Sequence, residues 1–312
     1  MTTVPPIDHR VPSSRAGLSV MLRNKCGGRR APPLLFVHGA TYPSTVTFDY
    51  AIDGASWMDV LAAGGFDVWC IDLLGYGEAD RPPQMSVAAD EHGPMVDTAE
   101  AVADVKLAVD FICAARDCAM VDLIGYSWGT AIGGQVATEC PARVRRLVLA
   151  GALWIPEGPM QVAVEGTLGA YRLVTEEATA RRWTVGLNDM QKAAIGSAAS
   201  RAQWAQAAVA SDPQSCRHTP ALLRAPTGVV KDVTECWMQG RPTWEPSLVR
   251  CPTLVVVGEW DHDTTPAQGR EVFARLSGTD IRRFVVIGGA THLMLLERQR
   301  QQLYEVVAAF LS

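Results

Sequence analysis

The sequence predicts an α/β fold: a mostly parallel, doubly wound sheet interrupted by a helical insert. Three observations carry this. Short apolar runs alternate with helix-compatible segments over the first half of the chain. The alternation stops between residues 156 and 246, and then it resumes to the C-terminus. Strands alternating with helices give a parallel sheet with right-handed crossovers. With 312 residues, 48% of them hydrophobic, the chain can build one large domain with an insertion.

Taken in chain order, residues 1–16 read as an irregular arm and 18–23 as a strand ending at Gly27-Gly28. Residues 33–37 form a short apolar strand that runs into His38-Gly39. A helix over 56–63 and a strand over 66–73 follow, the latter broken by Gly75-Tyr76-Gly77. A polar, proline-containing loop occupies 78–94. Val102, Val105, Val109 and Ile112 recur at spacings of three and four, the signature of an amphipathic helix. Residues 119–124 are the next strand, followed by a helix that stops before Pro141 and a strand over 144–150.

The insert shows no strand pattern. It is rich in alanine, with helices expected near 164–182, 189–210 and 219–239. A strand over 253–257, a helix near 266–276, a strand over 283–287 and a last helix over 293–310 complete the chain. The expected division is therefore a core of residues 1–155 and 247–312 with a cap of residues 156–246.

Bulk properties narrow the function. The net charge is -5 and no basic stripe stands out, so nucleic acid is not an expected partner. The eight cysteines are scattered without a C-x-x-C pair, several within apolar runs. They read as small buried hydrophobes in a reducing compartment rather than a disulfide framework. Residues 1–12 lack the apolar core of a secretory leader, and no apolar run reaches the length of a membrane span. A cytoplasmic protein with no membrane partner is expected.

The chemistry concentrates in Gly125-Tyr126-Ser127-Trp128-Gly129, a G-x-S-x-G placed between a strand and a helix. A turn that sharp needs glycines where backbone atoms crowd, and it pushes the serine oxygen out at the carboxyl edge of the sheet. A serine hydroxyl needs a base, and the base needs an orienting acid. Asp261 follows the strand ending Val257-Gly258-Glu259, and His292 follows the strand ending Ile287-Gly288-Gly289. Both fall on the strand edge where open α/β sheets bind ligands.

Three other patterns are decided on spacing. Asp261-His262-Asp263 is a poor metal set, because three consecutive residues cannot comfortably face one ion. Gly75-Tyr76-Gly77 lacks the third glycine of a dinucleotide fingerprint, since position 80 is aspartate. Asp263 is expected to cap the helix beginning near Pro266. Gly133 and Gly134 weaken the helix after Ser127, for which close packing under the serine turn is a reason. No metal or cofactor is expected.

Together with Val37-His38-Gly39-Ala40, Asp72-Leu73-Leu74-Gly75-Tyr76-Gly77, Gly258-Glu259-Trp260-Asp261 and Gly289-Ala290-Thr291-His292, the serine turn resembles an α/β-hydrolase-fold serine hydrolase with a helical cap. The likeness covers nearly all of residues 20–312, although the cap agrees only in position and helical character. The order Ser127, Asp261, His292 is the order of that fold. The resemblance implies Ser127 as nucleophile, His292 as base and Asp261 as its orienting acid. It implies an oxyanion hole from the backbone amides of Ala40 and Trp128. His38, Gly39, Gly125 and Gly129 then support the loops around it.

A serine nucleophile fits acyl transfer to water and argues against haloalkane dehalogenase and epoxide hydrolase chemistry. Trp128, Trp154 and Trp260 lie at strand ends, and Trp183, Trp204, Trp237 and Trp244 lie in the insert. They suit a small-molecule ester or lactone with an apolar or aromatic group, with Trp154 and Trp260 as the expected pocket walls. Three alternatives stand. A proline-iminopeptidase-like enzyme would bind an ammonium through Glu157, Glu165, Glu176 or Glu177, yet the loop His38-Gly39-Ala40-Thr41-Tyr42-Pro43 departs from that group's His-Gly-Gly-Pro-Gly. A C–C bond hydrolase uses the same three residues. A ligand receptor keeps them with little turnover.

Overall fold

The computed structural model describes residues 4–28, 32–156, 158, 160 and 166–312. Among them the main sheet has eight strands. The chain begins with β1 (Ile7–Pro12), β2 (Ser19–Cys26) and β3 (Leu34–Val37), then the helices α1 (Ser44–Phe48) and α2 (Trp57–Ala63). β4 (Asp67–Asp72), α3 (Thr98–Arg116), β5 (Val121–Tyr126), α4 (Trp128–Glu139) and β6 (Val144–Ala150) follow. After the insert come β9 (Thr253–Gly258), α9 (Pro266–Arg275), β10 (Arg282–Ile287) and α10 (Arg300–Leu311). The strand order is β1-β2-β4-β3-β5-β6-β9-β10. The first two pairings are antiparallel and the rest parallel.

This is the expected α/β architecture, a mostly parallel sheet with helices against it. β3, β4, β5 and β9 are buried along their whole length, as strands covered on both faces must be. The four apolar positions that announced α3 are all buried, at 3% exposure or less. Ser56 closes the first turn of α2 in a capping box with Asp59. Among the described residues no helix is long and apolar enough to cross a membrane. All eight cysteines are free.

The structure departs from the sequence expectations in four places. Part of the arm is a strand: β1 pairs with β2 along the sheet edge, although only Val11 of its residues is buried. A polar edge strand carries no apolar run to announce it. Between β6 and β9 the chain holds β7 (Tyr171–Val174) and β8 (Leu223–Pro226), paired antiparallel, beside α5 (Glu176–Arg182), α6 (Asp189–Ile195), α7 (Ala198–Ala210) and α8 (Gly228–Glu235). Two four-residue strands so far apart in sequence leave too short a pattern to read. The expected helix over 189–210 breaks at Gly196, φ 155°, and restarts with Ser197 as its cap.

The last helix begins at Arg300, not near 293. Residues just after His292 are held in turns instead. The buried Glu297 carboxylate accepts the Thr291 amide at 2.8 Å, the Thr291 hydroxyl, and Trp183 Nε1 at 2.8 Å. Burial pushes the Glu297 carboxyl up from its usual range, and these donors oppose it.

The glycine pair in α4 also has a different cause from the one expected. A Cβ on Gly133 would make ordinary contacts at 3.5 Å with Leu123 and Leu147, whereas one on Gly134 would lie 2.6 Å from the Trp244 indole. The close approach is to the inserted segment, not to the serine turn. Alanine gains about 1 kcal/mol of helix propensity over glycine, but overpacking against a buried ring costs about 1–3 kcal/mol. Gly134→Ala is therefore expected to lower Tm, and an unchanged or raised Tm would contradict that packing.

Candidate active site

Ser127 sits between β5 and α4 with φ 56° and ψ -121°, a backbone conformation that side-chain-bearing residues rarely adopt. Its amide donates to Ala150 O at 2.9 Å, and its carbonyl accepts the Thr130 amide at 2.9 Å. Thr130 Oγ1 also donates to Ser127 O at 2.5 Å and accepts the Leu153 amide at 2.9 Å. The glycines leave no alternative here. A Cβ at Gly125 would stand 2.1 Å from Gly129 O, and one at Gly129 2.2 Å from Val37 O. A Cβ at Gly39 would stand 3.0 Å from Ser127 Cβ.

The three residues expected to act together do meet. Ser127 Oγ lies 2.9 Å from His292 Nε2, and His292 Nδ1 lies 2.8 Å from Asp261 Oδ2. Asp261 is almost fully buried. Its Oδ1 accepts the amides of Asp263 and Thr264, each at 2.8 Å, while Thr264 Oγ1 donates to Oδ2 at 2.9 Å. A carboxylate so anchored fixes the proton of the neutral ring on Nδ1. Nε2 is then free to accept from the serine. Tyr126 donates its hydroxyl to the His292 backbone carbonyl at 2.8 Å, and the two rings lie 5.1 Å apart between centroids.

Burial pulls His292 towards lower pKa. The charge and hydrogen bond of Asp261 and the charge of Asp263 outweigh it, so the ring titrates above the ordinary 6.5. A protonated ring cannot take the serine proton. The acid limb of kcat/KM is therefore expected above pH 6.5, with rate falling as pH drops through it; a limb below 6.5 would contradict this electrostatic balance.

His38 is fully buried, and burial pushes it down to about 4, so it is neutral. Its Nδ1 donates to Gly39 O at 2.7 Å and its Nε2 accepts the Leu73 amide at 3.2 Å. The ring thus ties the loop after β3 to the end of β4. Tyr76 adds a second tie, donating to Ala40 O at 3.1 Å. Trp128 is the first residue of α4, so its amide has no acceptor within the helix. Its indole is turned into the core and donates to Thr98 Oγ1 at 2.9 Å.

Ser127 and His292 open on a cavity whose walls include Tyr42, Tyr126, Trp183, Trp260 and Leu293. A smaller void shares Ala40 and Ser127 with it and is walled by Trp128, Leu153 and Val229. Trp260 lines the larger cavity. Trp154 lines neither: it is 1% exposed and packs edge-on against Trp244 at 5.8 Å. An aromatic at a strand end serves the core as readily as a pocket. Of the four tryptophans of the insert, Trp183 alone is among the lining residues of these voids.

Asp263 does not cap α9. Thr265 does, accepting the Gln268 amide, and Asp263 pairs with Arg182 at 3.1 Å. The pair holds the Asp263 carboxyl below its usual range despite burial. Sequence reading also missed Thr264 and Gly151. Gly151 has φ 64°, and a Cβ there would sit 2.9 Å from Thr264 Oγ1 and 3.3 Å from the His292 ring. A glycine directly after β6, on the same strand edge, was its one visible signal. Of the glutamates considered for binding an ammonium, Glu157 and Glu165 lie outside the described residues. Glu176 and Glu177 are exposed on α5, and neither lines the cavity.

A serine, a partly buried histidine and a buried carboxylate in hydrogen-bond series, on the carboxyl edge of a sheet in this strand order, define an α/β-hydrolase-fold serine hydrolase. Residues 34–299 match the sequence model of the family Hydrolase_4, described as serine aminopeptidase, S33, and the chain belongs to that family. Among solved structures it is similar to a serine hydrolase involved in carbazole degradation, at 16% identity and TM-score 0.65, covering 98% of this chain and 99% of the other. It is similar to an esterase from Thermogutta terrifontis, at 16% identity and TM-score 0.63, covering 98% of both chains. A meta-cleavage product hydrolase from Pseudomonas fluorescens IP01 matches at 15% identity and TM-score 0.65, covering 97% of this chain and 96% of that one. A comparison with curated proteins gives no match.

Proposed function

We propose that the protein hydrolyses a carboxylic ester or lactone through an acyl-enzyme on Ser127. The observation that carries this is the continuous series Ser127 Oγ, His292, Asp261 at 2.9 and 2.8 Å, opening on an aromatic-walled cavity. His292 takes the proton of Ser127 as Oγ attacks the carbonyl. Asp261 holds the ring tautomer and stabilises the imidazolium. The amides of Ala40 and Trp128 receive the oxyanion, a role worth about 3–4 kcal/mol for a donor when removed. The imidazolium then protonates the leaving oxygen. Water, activated by the same ring, releases the acid. His38, Gly39, Gly125 and Gly129 hold the two amides and the serine in register.

Two voids meeting at Ser127 offer separate space for acyl and leaving groups. The larger, with Tyr42, Trp183 and Trp260, suits an apolar or aromatic portion. Residues 156–246 act as the cap that supplies one of its walls. The family description names a peptidase, but an aminopeptidase needs an anion to hold the substrate ammonium. Among the described lining residues of this cavity the acid side chain is Asp263, and Arg182 already neutralises it.

A panel of p-nitrophenyl esters of increasing acyl size, a prolyl arylamide and a vinylogous diketone tests the assignment. Turnover of esters with butyryl or aromatic acyl groups above acetate is expected. Turnover of the arylamide or the diketone alone would overturn it.

A further inference from the structure

Two guanidinium groups converge on one hydroxyl at the rim of the cavity. Arg172, on β7, donates from Nη2 to Thr41 Oγ1 at 2.5 Å and to Ala40 O at 3.4 Å. Arg182, at the end of α5, reaches the same Thr41 oxygen from Nη1 at 3.4 Å. Asp263 answers the charge of Arg182. Among the described residues no carboxylate pairs with Arg172, and its Nη1 is buried without an acceptor. Burial holds its guanidinium below the usual arginine value, and the titratable groups that act on it are Arg182 and the Tyr76 and Tyr42 phenols, which burial keeps protonated.

Arg172 and Arg182 line an open recess with Thr41, Tyr42, Arg181 and Val185. Four of these six, Thr41, Tyr42, Arg182 and Val185, also line the Ser127 cavity, so the two spaces adjoin. Arg181 is exposed and pairs along its own helix with Glu177 at 3.4 Å. Among the described residues, three arginines therefore face two carboxylates, and one positive charge is left over beside the site. A buried cation without a counter-ion is costly, and a threonine hydroxyl accepts its hydrogen bond without neutralising it.

We infer that Arg172, with Arg182 beside it, forms a subsite for a carboxylate carried by the substrate. One surplus charge matches a monoanion, and a planar guanidinium fork matches the planar carboxylate. This rests on the acyl-transfer reading and narrows it to monoanionic esters, such as the half-esters of dicarboxylic acids.

The test compares p-nitrophenyl hydrogen glutarate with its methyl ester, which is neutral. The native enzyme is expected to favour the anion by about tenfold or more in kcat/KM, the scale of a charged hydrogen bond. The ratio is expected to collapse towards one in Arg172→Gln and to survive in part in Arg172→Lys. No preference in the native enzyme, or an undiminished ratio in a folded Arg172→Gln, overturns the subsite. A second measurement does not need turnover: calorimetric binding of pentanoate and pentanamide to Ser127→Ala, with and without Arg172→Gln. Tighter pentanoate binding that Arg172→Gln abolishes upholds the subsite even if neither ester is cleaved, in which case the ester reading alone fails. Equal binding of the two, with both esters turned over alike, removes the subsite and leaves the ester reading standing.

Discussion

Ser127→Ala is expected to lower kcat on a reactive ester by about 10⁵–10⁶-fold, the scale of removing the nucleophile from such a unit. The residual rate would come from the oxyanion amides and binding alone. KM should change little, because the one side-chain bond that the hydroxyl makes among the described residues is to His292, and the aromatic walls stay in place. Stability separates this from a structural role. Ser127 holds φ 56°, and alanine at that position carries the same strain, so Tm should barely move. Ser127→Gly removes the hydroxyl and the strain together. Relief of about 1–3 kcal/mol exceeds the glycine entropy cost of about 0.5–1 kcal/mol. The glycine variant should therefore be inactive and more stable. Retained ester turnover in either variant, or a glycine variant that melts lower, would contradict the strained-nucleophile reading.

Asp261→Asn has the second largest expected effect, a fall in kcat of about 10⁴-fold. The cause is visible in the hydrogen bonds. Oδ1 accepts two amides at 2.8 Å, so the asparagine oxygen is held there and its NH₂ faces His292 Nδ1. The ring then carries its proton on Nε2 and cannot accept from Ser127. Removing the charge also takes away the strongest upward pull on His292, so the acid limb should move to lower pH. A merely structural carboxylate would cost stability without moving that limb. An Asp261→Asn enzyme with near-native kcat, or with its limb unmoved, would place the orienting acid elsewhere.

What was legible in the sequence was whatever the backbone must state in residue types. The turn at Ser127 demands glycines because atoms 2.1–2.2 Å from a Cβ permit nothing else, so Gly125 and Gly129 announce it. Asp261 and His292 were legible because each follows a buried apolar run, and parallel strands end on one edge. What failed depended on packing between distant segments. β7 and β8 are four residues each and find one another across α5, α6 and α7. Arg172, Arg182 and Thr41 are joined only by the way the insert lies on the loop after β3, and no local pattern marks them. Trp154 shows the converse: its position at a strand end was read correctly, but Trp244 claims it for the core. Asp263 resembled a helix cap by spacing, yet Thr265 stands nearer to Pro266, and Arg182 takes the carboxylate.

The central claim, that Ser127 is an activated nucleophile, is tested most directly by mass spectrometry of the folded protein after reaction with a fluorophosphonate. One equivalent of adduct on the peptide containing Ser127 is expected, absent in Ser127→Ala and formed far more slowly in Asp261→Asn. No adduct on the native protein, or an adduct on another residue that persists in Ser127→Ala, would contradict it.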